Sequence, residues 1–344
     1  MLAARLTAQL LAGEPAPDPV AATGRLLAVQ AQDPRGMRLA IRARTPLGRT
    51  SAADVERALT EDRTLVVSWL NRGTLHLVRR EDWPWLQALT TPPLRTASAR
   101  RLAQEGVPPA DAQRAVAAVE RALADEGPLT REALRERVAA AGVRTEGQAL
   151  VHVLLAATLA LGLVRGPLQG ARHAFALARE WLGEEALAPV ARGAALAELA
   201  RRYLASHGPA DARDLARWSG LPLRDARAGL AAIASELSER PDGLVELADA
   251  PPAAPLPPPR LLGAFDPLLL GWVSREDVLG EHAATNVVTA NGIFRPIALV
   301  RGTAAATWRL ERGRVALEPL RPLSRAAATA LQRDGADVRR FLGD

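Results

Sequence analysis

The sequence predicts an α+β fold, mainly α, built by repeating a unit of two helices followed by a β-hairpin. Three observations predict it. Helical periodicity with well-formed starts fills the first sixty residues, and period-two alternation replaces it at residues 65–78. An order of Gly-Pro, helix, Gly, helix and hairpin then recurs after Gly127 and after Gly208. At 344 residues the chain has room for two or three domains, and 48% hydrophobic with 24% charged residues is an ordinary globular composition.

Pro19 to Val29 repeats apolar residues at helical spacing until Asp33-Pro34, where Asp33 is a good N-cap and Pro34 suits the first helical position. Met37, Leu39 and Ile41 follow on a second helix, and Ser51 caps a third through Leu59. Leu65 to Leu70 and Thr74 to Val78 alternate about Asn71-Arg72-Gly73 as a hairpin. Helices followed by such a hairpin are the grammar of a winged helix. The second copy carries Leu129, Leu134 and Val138 on one helix ended by Gly142, a helix from Gln148 to Leu161, and Leu163-Val164-Arg165 before a turn at Gly170. In the third, Leu215 and Trp218 precede Gly220, a helix spans Leu223 to Leu237, and Pro241-Asp242-Gly243 joins two short strands. The six prolines between 251 and 259 make a stiff extended linker or edge. Apolar segments at Leu261–Trp272, Gly292–Val300, Ala305–Leu310 and Arg314–Leu320 then form a small β unit, closed by a helix from Ser324 to Leu342. The expected domains are three tandem winged helices at 1–107, 108–190 and 191–250, followed by the linker, β unit and helix at 251–344.

Composition removes several chemistries. Neither lysine nor cysteine occurs, which excludes a side-chain Schiff base, a P-loop lysine, thiol nucleophiles, disulfides and zinc fingers. The five histidines, at 76, 152, 173, 207 and 282, lack metal-ligand spacing, so neither a metal nor a cofactor is expected. Leu2 to Leu11 is broken by Arg5 and Gln9, unlike a signal peptide, and no apolar run is long enough for a membrane span, so a cytoplasmic location is expected. The net charge of +6 is compatible with a nucleic-acid partner but equally with a GC-rich genome.

The stretch AVQAQDPRG, residues 28–36, holds the candidate chemistry. Residues two apart share a face only in an extended chain, and Pro34 disfavours helix just before it, so the amides of Gln30 and Gln32 converge. An ordinary polar loop explains such a pair too. Together with SWLNRGTLHLV (68–78), AFDPLLLGW (264–272) and NGIFRPIALVRG (291–302), in this order and spacing, the stretch resembles the AlkZ-like family of bacterial winged-helix DNA glycosylases over most of the chain. The resemblance implies a DNA-binding concavity of tandem winged helices, no metal or cofactor, and excision of alkylated purines by a Gln-apolar-Gln motif matched by Gln30 and Gln32. With Gln rather than Asp at the second position, the sequence is similar to the branch acting on bulky adducts and interstrand crosslinks. The partner so implied is double-stranded DNA containing alkylated purines, bound by a monomer.

Amides neither donate nor accept protons usefully near neutral pH, so the pair can only hold water and place dipoles near developing positive charge. That suffices for N7- or N3-alkylpurines, which are cationic and leave as neutral bases. Without lysine the reaction is expected to stop at the abasic site, an N-terminal amine being the one alternative nucleophile. Asp33 is explained by its N-cap role. Arg35, Arg38, Arg42, Arg44 and Arg49, with Arg72 in the hairpin turn, are candidate phosphate contacts; a solvated helix face explains the cluster equally well. His76 is either a contact to phosphate or base, or a structural residue. Trp69, Trp83 and Trp85 stack on a base or pack in a core. A DNA-binding regulator without catalysis is the alternative reading of the whole chain.

Overall fold

The computed structural model describes residues 1–169, 172–184 and 190–343, with side chains except those of residues 281–284. The expected turn at Gly170 and the His282 side chain lie outside the described residues. Two compact units are present: residues 1–58 with 196–344, and residues 59–195. Residues 1–107, expected as one domain, are thus shared between them.

The first unit starts with α1 (Leu2–Ala8). Arg5 and Gln9, which break the apolar pattern in sequence, are buried here: Arg5 donates to the Pro209 carbonyl and Asp277, and Gln9 to the Ser206 carbonyl. Then come α2 (Pro19–Leu26), the two-residue strand β1 (Val29–Gln30), α3 (Pro34–Arg42) and α4 (Ala52–Thr60). Three residues fewer than expected are helical after Pro19, because the backbone turns sharply at Leu27.

The second unit holds the antiparallel hairpin of β2 (Leu65–Trp69) and β3 (Leu75–Arg79). Helices α5 (Trp83–Thr90), α6 (Leu94–Gln104) and α7 (Pro109–Glu126), unassigned from sequence, follow. Next are α8 (Arg131–Ala140), α9 (Ala149–Leu161), the hairpin of β4 (Leu163–Gln169) and β5 (Arg172–Leu177), and α10 (Ala178–Leu182). Its core interlocks Leu102, Val119, Leu134, Val138, Val153 and Phe175. Trp83 is buried, so its role is packing.

The chain returns to the first unit through α11 (Arg192–His207), α12 (Ala212–Ser219) and α13 (Leu223–Ala232). The last is shorter than expected: a 3-10 turn at Ala234–Glu236 leads into the hairpin of β6 (Leu237–Glu239) and β7 (Val245–Leu247). The proline segment is irregular and lies along the start of the chain, where the Ala254 N–H donates to the Thr7 hydroxyl. Beyond it are β8 (Arg260–Leu262), α14 (Pro267–Leu270), α15 (Glu276–Val287), β9 (Ile297–Val300), β10 (Thr303–Glu311), β11 (Arg314–Pro319) and α16 (Arg325–Leu342). Strands β8 to β11 form one antiparallel sheet in the order β11-β10-β9-β8. Only the start of Leu261–Trp272 is strand; Asp266 and Pro267 open a helical turn instead, and α15 fills a stretch with no expected element.

The architecture is therefore mixed α and β, largely helical, and the order helix, helix, antiparallel hairpin occurs at α3–β3, α8–β5 and α12–β7. No described helix is long and apolar enough to cross a membrane.

Candidate active site

Asp18 caps α2, and the helix stops when Leu27 takes φ +65°, ψ −52°, with the Ala28 N–H donating back to the Leu26 carbonyl at 2.8 Å. This is a γ-turn of the rarer, strained hand. A non-glycine residue holds such a conformation at a cost of about 1–3 kcal/mol, met here by complete burial of the Leu27 side chain. The turn delivers the chain in extended form to Val29 and Gln30. Ala28, Val29 and Ala31 are buried, Gln30 is 7% exposed, and Gln32 is exposed.

The extended backbone brings the two glutamines together. Gln30 Nε2 donates to Gln32 Oε1 at 2.6 Å, so one amide orients the other. The pair combines a buried, anchored amide with an exposed one. Its polar atoms offer lone pairs and N–H groups to a water or a developing cation, and neither group changes charge near neutral pH.

Asp33 faces the helix, not the pair: its Oδ1 accepts the Gly36 N–H at 2.7 Å as the N-cap of α3. Asparagine caps as well as aspartate but is no base. Asp33→Asn should therefore keep any single-turnover rate that the glutamine pair supports within a few-fold of wild type; a loss of a hundredfold or more with unchanged thermal unfolding would make Asp33 a base. Gly36 is required by packing, since a β-carbon there would strike the Ala264 backbone, and a β-carbon on Gly263 would in turn strike the Gly36 backbone.

The arginines that look alike in sequence separate into different roles. Arg35 and Arg49 are exposed. Arg38 is partly buried and ion-paired to Glu56 at 2.7 Å. Arg42, a candidate DNA contact, is corrected: it is 1% exposed, bonded to both Asp334 carboxylate oxygens at 2.6 and 3.0 Å and to Asp337 at 2.9 Å, and serves the fold. Arg44 is likewise internal, its guanidinium paired with both oxygens of Asp266 at 2.8 and 2.9 Å. These aspartates were not singled out in sequence. The signal for Asp266 was present, because Asp18-Pro19, Asp33-Pro34 and Asp266-Pro267 all start helices with an Asp cap and Pro in the first turn.

Arg72 and His76 belong to the second unit. Arg72 stands in the hairpin turn with φ +56°. His76 is buried opposite Ser68, with Nδ1–H donating to the Thr74 carbonyl at 3.0 Å. Burial, and then the Arg72 charge, lower its pKa to about 3 against the raising effect of the Thr74 bond. It is a neutral imidazole at physiological pH, not a cationic phosphate contact. Between pH 6.5 and about 3 the unfolded chain takes up a proton that folded His76 refuses, so stability is lost as pH falls through that window, by up to about 1.4 kcal/mol per unit. Denaturant midpoints from pH 7.5 to 5 should fall more steeply for wild type than for His76→Gln. Parallel lines would show that His76 protonates freely in the fold.

A family model described as "DNA glycosylase AlkZ-like" matches residues 23–341. An interstrand DNA cross-link repair glycosylase of Streptomyces sahachiroi is 27% identical over 361 residues, covering 98% of this chain and 95% of the relative. The solved structure of the Streptomyces sahachiroi DNA glycosylase AlkZ superposes with a TM-score of 0.81 at 25% identity, covering 99% of this chain and 95% of that one.

Proposed function

The chain belongs to the AlkZ-like family of DNA glycosylases, and from that premise we propose that it hydrolyses the N-glycosidic bond of purines alkylated at N7 or N3 in double-stranded DNA, with Gln30 and Gln32 as the catalytic pair. The observation that carries this reading is the contact between the two amides, one anchored in the core and one at the surface.

The chemistry follows from the leaving group. An N7- or N3-alkylated purine carries a positive charge, so when the bond from C1′ to the base nitrogen breaks, the electron pair neutralises the base and no acid is needed. Positive charge moves to the sugar. Amide carbonyls fixed close to C1′ stabilise it, and a water held by the same amides adds its oxygen to C1′ and loses a proton to solvent. Gln30 contributes by fixing the direction of the Gln32 amide, which removes the freedom of an exposed side chain before the reaction. Because the sequence lacks lysine, the abasic site is left uncut. Bulky adducts and interstrand crosslinks with the same cationic linkage extend the substrate class, in keeping with the relative that repairs crosslinks.

The test is single-turnover incubation with duplex DNA containing N7-methylguanine, with and without alkaline work-up, beside a duplex crosslinked through purine N7. Strand breaks that appear only after alkali, from either duplex, are the expected result. No base release from either overturns the glycosylase reading. Breaks without alkali overturn the abasic end point.

A further inference from the structure

The second unit holds an arginine whose charge nothing described in the chain balances. Arg165, on β4, sits with its guanidinium carbon 3.8 Å from the Phe175 ring centre and 5.2 Å from that of Trp69, and the two rings stack 6.1 Å apart at 25°. Among the described residues its guanidinium meets no carboxylate and no hydrogen-bond acceptor. Acidic residues flank the start of α8, but they are committed elsewhere: Glu126 to Arg137 and Glu132 to Arg172, each at 2.7 Å. Arg131, the first residue of α8, is exposed, and it too has no carboxylate partner among the described residues. Burial, and then the neighbouring Arg131 charge, lower Arg165 to about 10, which leaves it cationic at neutral pH.

Two like charges thus converge on the aromatic floor from neighbouring segments: Leu129, two residues before Arg131, exchanges backbone hydrogen bonds with Phe175, which is the strand partner of Arg165. Such an arrangement costs free energy until an anion joins it. The floor also fixes the plane of the Arg165 fork, so little side-chain freedom remains to be lost when two parallel N–H groups engage two oxygens. A phosphodiester offers that pair of oxygens and a single negative charge.

We propose that Arg165, seated on Trp69 and Phe175 beside Arg131, is a phosphodiester-binding site by which the second unit holds the DNA backbone. This rests on the reading that the chain binds duplex DNA, and the site acts on damaged and undamaged duplex alike, because phosphates carry no lesion information. Trp69 then serves neither as a base-stacking platform nor as core filler alone; it supports a cation.

The experiment measures duplex affinity across about 50–200 mM salt for wild type, Arg165→Gln and Arg131→Gln, on undamaged and N7-methylguanine duplexes. Losing one phosphate contact lowers the slope of log affinity against log salt by about 0.9 and weakens binding roughly tenfold near 0.1 M salt. The expected result is that loss for Arg165→Gln, equal on the two duplexes. The exposed Arg131→Gln should show the same direction and decides the matter if Arg165→Gln does not fold. Affinities and slopes equal to wild type would remove the site, while wild type that binds no duplex would remove the DNA reading instead. A further arm replaces chloride by inorganic phosphate at equal ionic strength. Weakening specific to phosphate, and absent in Arg165→Gln, is the expected competition for one site; phosphate that raises the unfolding midpoint of wild type but not of Arg165→Gln, while leaving duplex affinity unchanged, would reassign the site to a small free anion and overturn the backbone role.

Discussion

Replacing Gln30 and Gln32 together by alanine should lower the single-turnover excision rate by at least about a thousandfold and leave duplex affinity within a few-fold of wild type. The first magnitude follows from what fixed dipoles do beside a developing charge, where removal of one costs about a hundred- to a thousandfold. The second follows because both side chains are neutral, and most of the affinity for DNA comes from phosphate contacts. The two amides touch, so their effects should not add. Gln32→Ala leaves Gln30 without its oriented partner, and Gln30→Ala leaves an exposed amide that nothing fixes. Each single variant should therefore show most of the loss of the double variant. Gln30→Ala also disturbs a buried amide at a cost of about 1–3 kcal/mol, so the comparison is made at a temperature where both proteins are folded. Excision within tenfold of wild type in the double variant would assign the pair to loop structure.

Arg44→Ala should be the most destabilising single change in the first unit, by about 3–5 kcal/mol. Arg44 and Asp266 are both 0% exposed, and the guanidinium also donates to the Gln9 side chain and to the Gln9 and Ala40 carbonyls. Removing it leaves a carboxylate in the core with, among the described residues, only the Leu268 N–H as an alternative partner. For a unit of about two hundred residues, at about 2–4 °C per kcal/mol, the unfolding midpoint drops by roughly 6–20 °C. Lysine should not restore it, because a point charge cannot satisfy a bidentate carboxylate. Arg44→Met with Asp266→Asn should cost less than either change alone, since no charge is then stranded. A midpoint shift under about 2 °C for Arg44→Ala would mean that the pair contributes little beyond packing. In contrast to the glutamine variants, the folded fraction of Arg44→Ala should keep its excision rate.

Local chemistry was legible wherever neighbours in sequence decide it. The extended Gln30-Ala31-Gln32 segment and the Asp33 cap follow from Pro34 and the two-residue spacing. The hairpin at 65–79 follows from alternation about Asn71-Arg72-Gly73, and the start of the last helix follows from Ser324, which caps it. The fate of the arginines was not legible, because partners 222 to 295 residues away decide it. Arg35 and Arg42 are the same residue type on one helix, yet only the second meets Asp334 and Asp337. Helix α7 is hard to see in sequence because its packing face leans on alanine, as in Ala115, Ala118 and Ala122, which marks an apolar stripe weakly, and α6 buries only Ser98 and Leu102. The strained turn at Leu27 carries no glycine or proline to announce it; only burial of the side chain explains how leucine holds that backbone.

The division of the first unit into residues 1–58 and 196–344 has a consequence for synthesis. The glutamine pair leaves the ribosome more than two hundred residues before Asp266, Asp334 and Asp337, which hold Arg44 and Arg42 behind it. At about 5–20 residues per second that interval is roughly 10–60 s. The intervening unit, residues 59–195, is continuous and can complete its core in the meantime. A nascent chain thus completes residues 59–195 before the first unit can close around the glutamine pair, and a ribosome that stalls before α16 leaves Arg42 without Asp334 and Asp337.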